Sequence, residues 1–338
     1  LHACASVKIA VLGDFALDAY WYTDMDKAQL SREAPLFNRP VVKENYSLGG
    51  AANVTWNLSD LGIKDIRAIS VLGEDWRAGL LKDLMSKAGI RSEACISTSQ
   101  WSTVLFAKIF LTTSGLQQED SRIDFINTDP LNPESESKLL NQLEASLPEL
   151  DAVIISDYQK IGVIGARMLE QLNMLAEMHP GTLFVVDSRE RIGQYHNMVL
   201  KPNQHEVLNA VHPTETNNQA GDEQLIKAGK LLQAKAKKPV FVTQGERGCL
   251  VIDGESVENI PALPVSPPID AVGAGDTFLA ALTVSLAAGA SNTEAASFAC
   301  LASAVTIRKL NVTGTATPDE IITLYDARES EQSDGRKL

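Results

Sequence analysis

The chain has 338 residues, a formal net charge of −13, 44% hydrophobic residues and 22% charged residues, a composition that supports a buried core and excludes a disordered chain. The acidic balance excludes a protein that relies on a broad basic face to hold nucleic acid. No stretch supplies the roughly 18–20 uninterrupted apolar residues of a membrane span; the nearest, residues 278–290, is broken by Thr283, Ser285 and Gly289 and reads as a buried helix. Residues 7–13 form an apolar run ending in Gly13-Asp14, the pattern of a strand buried on both faces. Helical spacing over 51–61 stops at Gly62, a strand follows at 66–72, and a helix over 76–88 closes at Gly89. The alternation continues with a helix at 134–147, a strand at 152–156, a helix at 164–178 and strands at 183–187 and 198–201. After these come a helix at 222–236, a strand at 240–243, a hairpin within 248–260, and helices at 274–288, 293–309 and 318–326. Strands alternating with helices of this length predict an α/β fold with a mostly parallel sheet covered on both faces.

Two regions break the rhythm. Residues at about 19–48 and 102–127 are richer in aromatic and β-branched side chains and lack helical period, which predicts strands outside the main sheet, a β lid inserted in one domain spanning 1–328. The polar stretch 329–338 is expected to be a disordered tail. The four cysteines, Cys4, Cys95, Cys249 and Cys300, contain no CxxC pair, as in proteins that keep reduced thiols rather than disulfides or zinc. The start of the chain has no basic region followed by an apolar one, so the expected location is cytoplasmic.

Ligands of open parallel sheets sit beyond the carboxyl ends of the strands, where this chain places Gly13-Asp14, Ser156-Asp157, Asp187, Asn203 and Thr243. The sharpest signal is Asp270-Ala271-Val272-Gly273-Ala274-Gly275-Asp276 before an apolar helix. Two glycines let the backbone turn several N–H groups to one point, and a helix start adds unpaired donors, so Gly273, Ala274 and Gly275 suit an anion hole. Asp276 there suits a general base, although a glycine turn with Asp276 as N-cap satisfies the same pattern. Gly49-Gly50-Ala51-Ala52-Asn53 opens an earlier helix, with small residues that admit a ligand and an Asn to meet hydroxyls. Asn203 and Glu206, spaced i, i+3, share one face of a turn and offer oxygen ligands of the kind Mg²⁺ takes. Thr243, Gly245 and Gly248 form a strand-end turn open to phosphate or a plain hairpin entry. No dinucleotide GxGxxG fingerprint and no P-loop accompany them.

In this order the four motifs resemble the ribokinase/PfkB sugar kinases over roughly residues 7–326: GGxxxN, NxxE, TxGxxG and DxxGAGD all match. The resemblance implies a ribokinase-like fold and ATP- and Mg²⁺-dependent phosphorylation of a sugar or sugar-phosphate hydroxyl. Asp276 would be the base, with Gly273–Asp276 as the anion hole. Asn203 and Glu206 would serve the Mg²⁺ and phosphate region, and Thr243, Gly245 and Gly248 would lie along ATP. Asp18 and Asp14 would meet sugar hydroxyls beside Gly49, Gly50 and Asn53. It further implies a homodimer paired through the lid, and in some members a monovalent cation such as K⁺. No nucleic-acid or membrane partner is expected. Leu17–Tyr22, Ser31–Pro35, Arg122–Phe125 and Ser156–Lys160 look most like the heptose 7-phosphate kinase domain. The chain departs from it at Ser188-Arg189, where Pro-Lys is usual, and at Ala271, where many members of the wider family carry Thr. No HxGH nucleotidyltransferase motif occurs. Of the cations near the lid and strand ends, Arg32, Lys108, Arg122, Lys160 and Arg189, Arg122 is the leading candidate for a substrate phosphate, and Trp21 and Tyr22 are candidates to close the sugar site. Other acceptors in reach of the same chemistry are fructose, ribose, fructose 6-phosphate and nucleosides, and a silent sugar- or nucleotide-binding regulator is the non-enzymatic alternative.

Overall fold

A computed structural model describes residues 2–211, 221–310 and 312–335. The chain begins with β1 (Lys8–Gly13) and turns at once into β2 (Phe15–Asp24), β3 (Val41–Gly50) and helix α1 (Ala51–Asp60). There follow β4 (Asp65–Gly73), α2 (Trp76–Lys87), β5 (Cys95–Thr98), β6 (Val104–Thr113), β7 (Leu116–Phe125) and α3 (Pro133–Ser146). The middle of the chain alternates β8 (Ala152–Asp157), α4 (Ala166–Met178), β9 (Leu183–Ser188), β10 (Val199–Leu200), α5 (Gln204–Val211), α6 (Asp222–Ala236) and β11 (Val240–Thr243). The hairpin β12 (Cys249–Asp253) and β13 (Ser256–Ile260) precedes α7 (Ala274–Ala287), α8 (Asn292–Thr306) and α9 (Pro318–Gly335).

Nine strands form the main sheet in the order β13-β12-β11-β10-β9-β8-β1-β4-β5. Every pairing from β5 to β11 is parallel, and the hairpin adds two antiparallel strands at one edge. Alternate residues of each strand go to opposite faces, as a period of two requires. Ile9, Val11, Ile154 and Val185 join a core with α1, α2, α7, α8 and α9. Ala10, Leu12, Val153, Ile155 and Val186 join a second core with α3, α4, α5 and α6. Helix α7 is buried from Thr277 to Ser285, which explains an apolar surface all around it rather than one stripe.

The order of connection reverses at β1: β4 and β5 lie to one side, β8 to β11 to the other. This is the switch point at which open α/β sheets bind ligands. It is also where the chain leaves the main sheet to build the second, four-stranded sheet, β3-β2-β6-β7. The expected lid is therefore a sheet of its own, and it starts at Phe15, earlier than the aromatic pattern indicated, because the buried Phe15-Ala16-Leu17 continues the apolar run of β1. The final helix extends past 328 to Gly335, and residues 336–338 of the expected tail lie outside the described residues. The four cysteines are buried free thiols. Among the described residues no helix is long and apolar enough to cross a membrane.

Gly248 enters the edge hairpin at a φ of 93°, and a Cβ there would lie 2.0 Å from the Ile260 carbonyl oxygen. Both the dihedral and the clash oppose a side chain. Gly248→Ala is expected to destabilise the protein by at least about 1–3 kcal/mol, read as a lowered midpoint in thermal unfolding.

Candidate active site

Two helix starts meet beneath the lid. Gly273, with φ 81°, caps α7, and the helix begins at Ala274. Gly275 and Asp276 occupy its second and third positions, where helical N–H groups lack intrahelical acceptors and the helix dipole is positive. Asp276 is thus not the N-cap. Its half-buried carboxyl group accepts a hydrogen bond at Oδ2 from Asn53 Nδ2, 2.7 Å away on α1. Burial pushes the Asp276 pKa up to about 7; the Asn53 bond and Lys201 act against the rise, and the charges of Asp187 and Asp18 reinforce it. Behind the loop, Thr277 Oγ1 donates to Asn57 Oδ1 at 2.6 Å and lies 2.9 Å from Thr306 Oγ1, fixing α7 to α1 and α8.

In front of Asp276 lies a cavity of about 300 Å³, walled by Gly273 and Val272 on one side and by Asp18, Tyr20, Phe106, Lys108 and Arg122 of the lid sheet on another. Tyr158 and Arg189, from loops after β8 and β9, complete it. Asp18 Oδ2 accepts from Thr313 Oγ1 at 3.0 Å, and the Tyr20 hydroxyl and Ser47 hydroxyl reach the same threonine. Burial pushes Asp18 up to about 6 against the pull of Thr313, Lys108 and Arg122. The missing side chain of Gly49 makes room for this carboxylate, since a Cβ would stand 2.6 Å from Asp18 Oδ1.

Several residues singled out in the sequence have other places. Asp14 is buried, and its two oxygens accept from the N–H groups of Tyr158, Gln159 and Val163 at 2.6–3.0 Å. It ties down the loop that carries Tyr158 and does not line the cavity. Asp157, equally buried, is consumed by Ser188, Arg191 and Tyr195, which braces the loop that carries Arg189. Asn53 is wholly buried and reaches Asp276 rather than the cavity. Gly49, Ala274 and Gly275 do not line the cavity, while Gly50 does. Trp21 and Tyr22 do not line it either: Trp21 donates to the Tyr46 hydroxyl and Tyr22 stacks on Phe110. The aromatic wall is Tyr20, Phe106 and Tyr158. Arg32 and Lys160 are exposed and away from it.

A second polar cluster adjoins the first at the ends of β9, β10 and β11. Asn203 and Glu206 bond each other reciprocally, Asn203 N–H to Glu206 Oε2 at 2.7 Å and Glu206 N–H to Asn203 Oδ1 at 2.9 Å, a capping box that starts α5. Buried Lys201 sits 3.0 Å from Asp187. Burial pulls its pKa down, but Asp187, Glu206 and Asp276 outweigh this and the ammonium is held charged. Burial, then the Asp187 charge, pushes the Glu206 carboxyl up. Thr243 N–H bonds the Pro202 carbonyl at 2.9 Å and Gly245 faces open space, whereas Gly248 is hemmed in by the backbone at 260–262. Gly248 thus serves the hairpin's packing. Lys201 and Asp187 join the two clusters electrostatically. Asp187 was legible as a strand-end acid, but nothing in the spacing marked Lys201 or Thr313.

A doubly wound sheet, a separate four-stranded sheet and a carboxylate at a glycine-started helix make a ribokinase-like architecture. The chain belongs to the pfkB family of carbohydrate kinases, whose profile matches residues 8–319. Among curated proteins it is similar to the Bifunctional protein HldE of Aliarcobacter butzleri, 33% identical over 319 residues, and to that of Helicobacter acinonychis, 30% over 305 residues. These matches cover 93% and 90% of this chain but only 63% of each relative, so the chain spans less than two thirds of the curated relatives it matches. Among solved structures, phosphofructokinase-2 from Escherichia coli in complex with potassium superimposes with a TM-score of 0.73 at 24% identity, and ribokinase from Thermotoga maritima with 0.67 at 20%. Each covers 95% of this chain and 99% of its own; at such identities they speak for the fold.

With Asp276 as the general base proposed below, kcat/KM is expected to fall as pH drops below about 7. The Asn53 amide favours the ionised form of Asp276, so Asn53→Ala is expected to move the acid limb to higher pH, as measured by the pH profile of kcat/KM for the sugar.

Proposed function

We propose that this kinase transfers the γ-phosphoryl group of ATP to a hydroxyl of a sugar phosphate of the heptose 7-phosphate class. The observation that carries the reading is that Asp276, at the start of α7, and Asp18, on the lid, face one cavity. Asp18 accepts a hydrogen bond from a sugar hydroxyl and orients the ring. Asp276 takes the proton of the hydroxyl to be phosphorylated as its oxygen bonds to phosphorus, and the bond from phosphorus to the ADP oxygen breaks. The N–H groups of Gly275 and Asp276 offer fixed donors to the charge on the moving phosphoryl group, with no reorganisation required. Tyr20, Phe106 and Tyr158 exclude water that would compete as acceptor.

Members of this family use Mg²⁺ with ATP, and the donor set here suits it: Asp187 and Glu206 are oxygen donors close enough that one charge raises the other's proton affinity, a repulsion that a divalent cation relieves. Such an ion, held by Glu206 with Asn203 and Asp187 nearby, supplies charge neutralisation at the phosphates. Lys201 adds a fixed positive charge beside it. The heptose assignment is supported by the similarity to the HldE proteins and by the lid sequence 17–22.

Homodimerisation through the lid is part of the proposal. Leu36, Phe37, Val41 and Val42, in and before β3, are all more than half exposed, an apolar surface of the kind that a second copy covers. A cytoplasmic location, where ATP is at hand, belongs to the same reading.

ADP release with Mg·ATP across heptose 7-phosphate, fructose 6-phosphate, fructose, ribose and adenosine is expected to be fastest with the heptose phosphate; preference for another member would move the acceptor and keep the base. Asp276→Asn is expected to lower kcat by about 10²–10⁴-fold with ATP still bound in calorimetry. Turnover near that of the wild type would falsify the role of Asp276.

A further inference from the structure

Between α8 and α9 the sequence Thr313-Gly314-Thr315-Ala316-Thr317 carries three threonines in alternation, and each bonds an acid. Thr317 and Glu320 form the capping box of α9, with the Thr317 N–H on Glu320 Oε2 at 2.9 Å and the Glu320 N–H on Thr317 Oγ1 at 3.4 Å. Thr315 Oγ1 donates to Asp60 Oδ2 at the end of α1. Gly314 lies so close to α8 that a Cβ there would stand 3.0 Å from Thr306 Cγ2. The segment is thus fastened to three helices of the body, the main sheet with its helices. Thr313, which is buried, rests its methyl group by the start of α7, where a Cβ on Gly273 would meet Thr313 Cγ2 at 3.5 Å.

The hydroxyl of Thr313 faces the other way, into the lid. It donates to Asp18 Oδ2 at 3.0 Å and lies 3.0 Å from the Tyr20 hydroxyl and 3.3 Å from the Ser47 hydroxyl. A hydroxyl has one proton and two lone pairs; with its proton given to the carboxylate, Tyr20 and Ser47 are the donors. Side chains of two lid strands, β2 and β3, therefore converge on one oxygen of the body. Among the described residues, every hydrogen bond between a side chain of the four lid strands and the body ends on that oxygen, and no salt bridge joins those strands to the body. The bond to Asp18 is buried and charge-assisted, the stronger kind. Asp18 Oδ1 accepts no hydrogen bond among the described residues, so the carboxylate keeps one oxygen for a further donor.

We propose that Thr313 is a positioning residue, a latch mounted on the body that holds the lid against it and fixes Asp18 for the acceptor. The inference rests on the acceptor reading of the cavity given above. Asp18 belongs to the lid and Asp276 to the body, and Thr313 spans the two, its hydroxyl on Asp18 and its methyl by the helix start that carries Asp276. Without the hydroxyl, a carboxylate, a phenol and a serine lose their common partner and the lid loses its polar tie to the body.

The test compares Thr313→Val, which keeps the shape and removes the hydroxyl, with Thr313→Ser, which keeps the hydroxyl. Backbone hydrogen exchange of the ligand-free protein is expected to quicken about 10-fold in β2 and β3 of Thr313→Val, with the main sheet at the wild-type rate and Thr313→Ser close to the wild type throughout. In turnover with Mg·ATP and heptose 7-phosphate, Thr313→Val is expected to raise the KM of the sugar about 10–100-fold, with a smaller effect on kcat, and Thr313→Ser to restore it. Burial pushes Asp18 up to about 6 and the Thr313 bond opposes the rise, so its loss is expected to move the acid limb of kcat/KM for the sugar to higher pH. The other groups that face Asp18 stay in both variants: Lys108 on β6, Arg122 and Asp124 on β7, Tyr20 on β2, Tyr158 after β8 and Asp276 on α7. Unchanged exchange in the lid of Thr313→Val, exchange quickened equally in the main sheet, or a serine variant that behaves like the valine overturns the latch. An unmoved KM and acid limb overturn the positioning of Asp18. Lid exchange that quickens in Thr313→Val and recovers in Thr313→Ser, with no ADP release from the wild type on the sugar, upholds the latch and overturns the acceptor reading instead.

Discussion

The hydrogen bond from Asn53 to Asp276 joins residues 223 positions apart and expresses the requirement on which the site depends. As the proposed general base, Asp276 must be shielded enough to hold a proton near neutral pH, yet kept ionisable by a donor that favours the charged form. Burial alone drives a carboxyl group toward the neutral acid. The Asn53 amide opposes that drift, and it can do so only because α1 and α7 start side by side beneath the lid. Their alignment rests in turn on the Asn57, Thr277 and Thr306 contacts and on a helix α7 buried on all sides. Asp276, the amides at the helix start and the Asn53 donor are therefore set by one packed joint rather than by a flexible loop.

The cavity itself is the gap between two sheets that share one chain. As β1 ends and β2 begins, the main sheet hands the chain to the lid, so Asp18 stands on the lid while Asp276 stands on the body. In the proposed reaction a substrate that touches both bridges them, an arrangement suited to excluding water during phosphoryl transfer. The loops that complete the body wall are braced from below. Asp14 gathers three backbone amides after β8, and the buried Asp157–Arg191 pair with Ser188 and Tyr195 holds the segment after β9. Such fully satisfied buried charges give positional definition to Tyr158 and Arg189.

Charge is distributed against the average of the molecule. The surplus of acid lies elsewhere, while the acceptor cavity gathers Lys108, Arg122 and Arg189, and the neighbouring strand ends hold Lys201 buried among Asp187, Glu206 and Asp276. Local fields of this kind decide what a cleft attracts, whatever the net charge.

Most of the order of strands and helices, the parallel sheet, the lid and the Gly273–Asp276 loop were legible in the sequence, because period, glycine placement and helix-start chemistry are local properties of the chain, whereas the short β5 and α5 were not. So was the placement of Asp276, since a helix that begins after a glycine presents the same amides in any context. The sequence could not tell apart strand-end acids that look alike. Asp14, Asp157 and Asp187 each follow an apolar run, but the first two are consumed by backbone amides and an arginine, and the third pairs with Lys201. It could not show that Asn53 turns to Asp276 rather than the cavity, that Gly248 serves a hairpin, or that Tyr20 rather than Trp21 lines the cavity. Nor could it show that Lys108 and Arg122 stand side by side. Which groups meet depends on strand register and on contacts between residues hundreds of positions apart, and only the folded packing sets those.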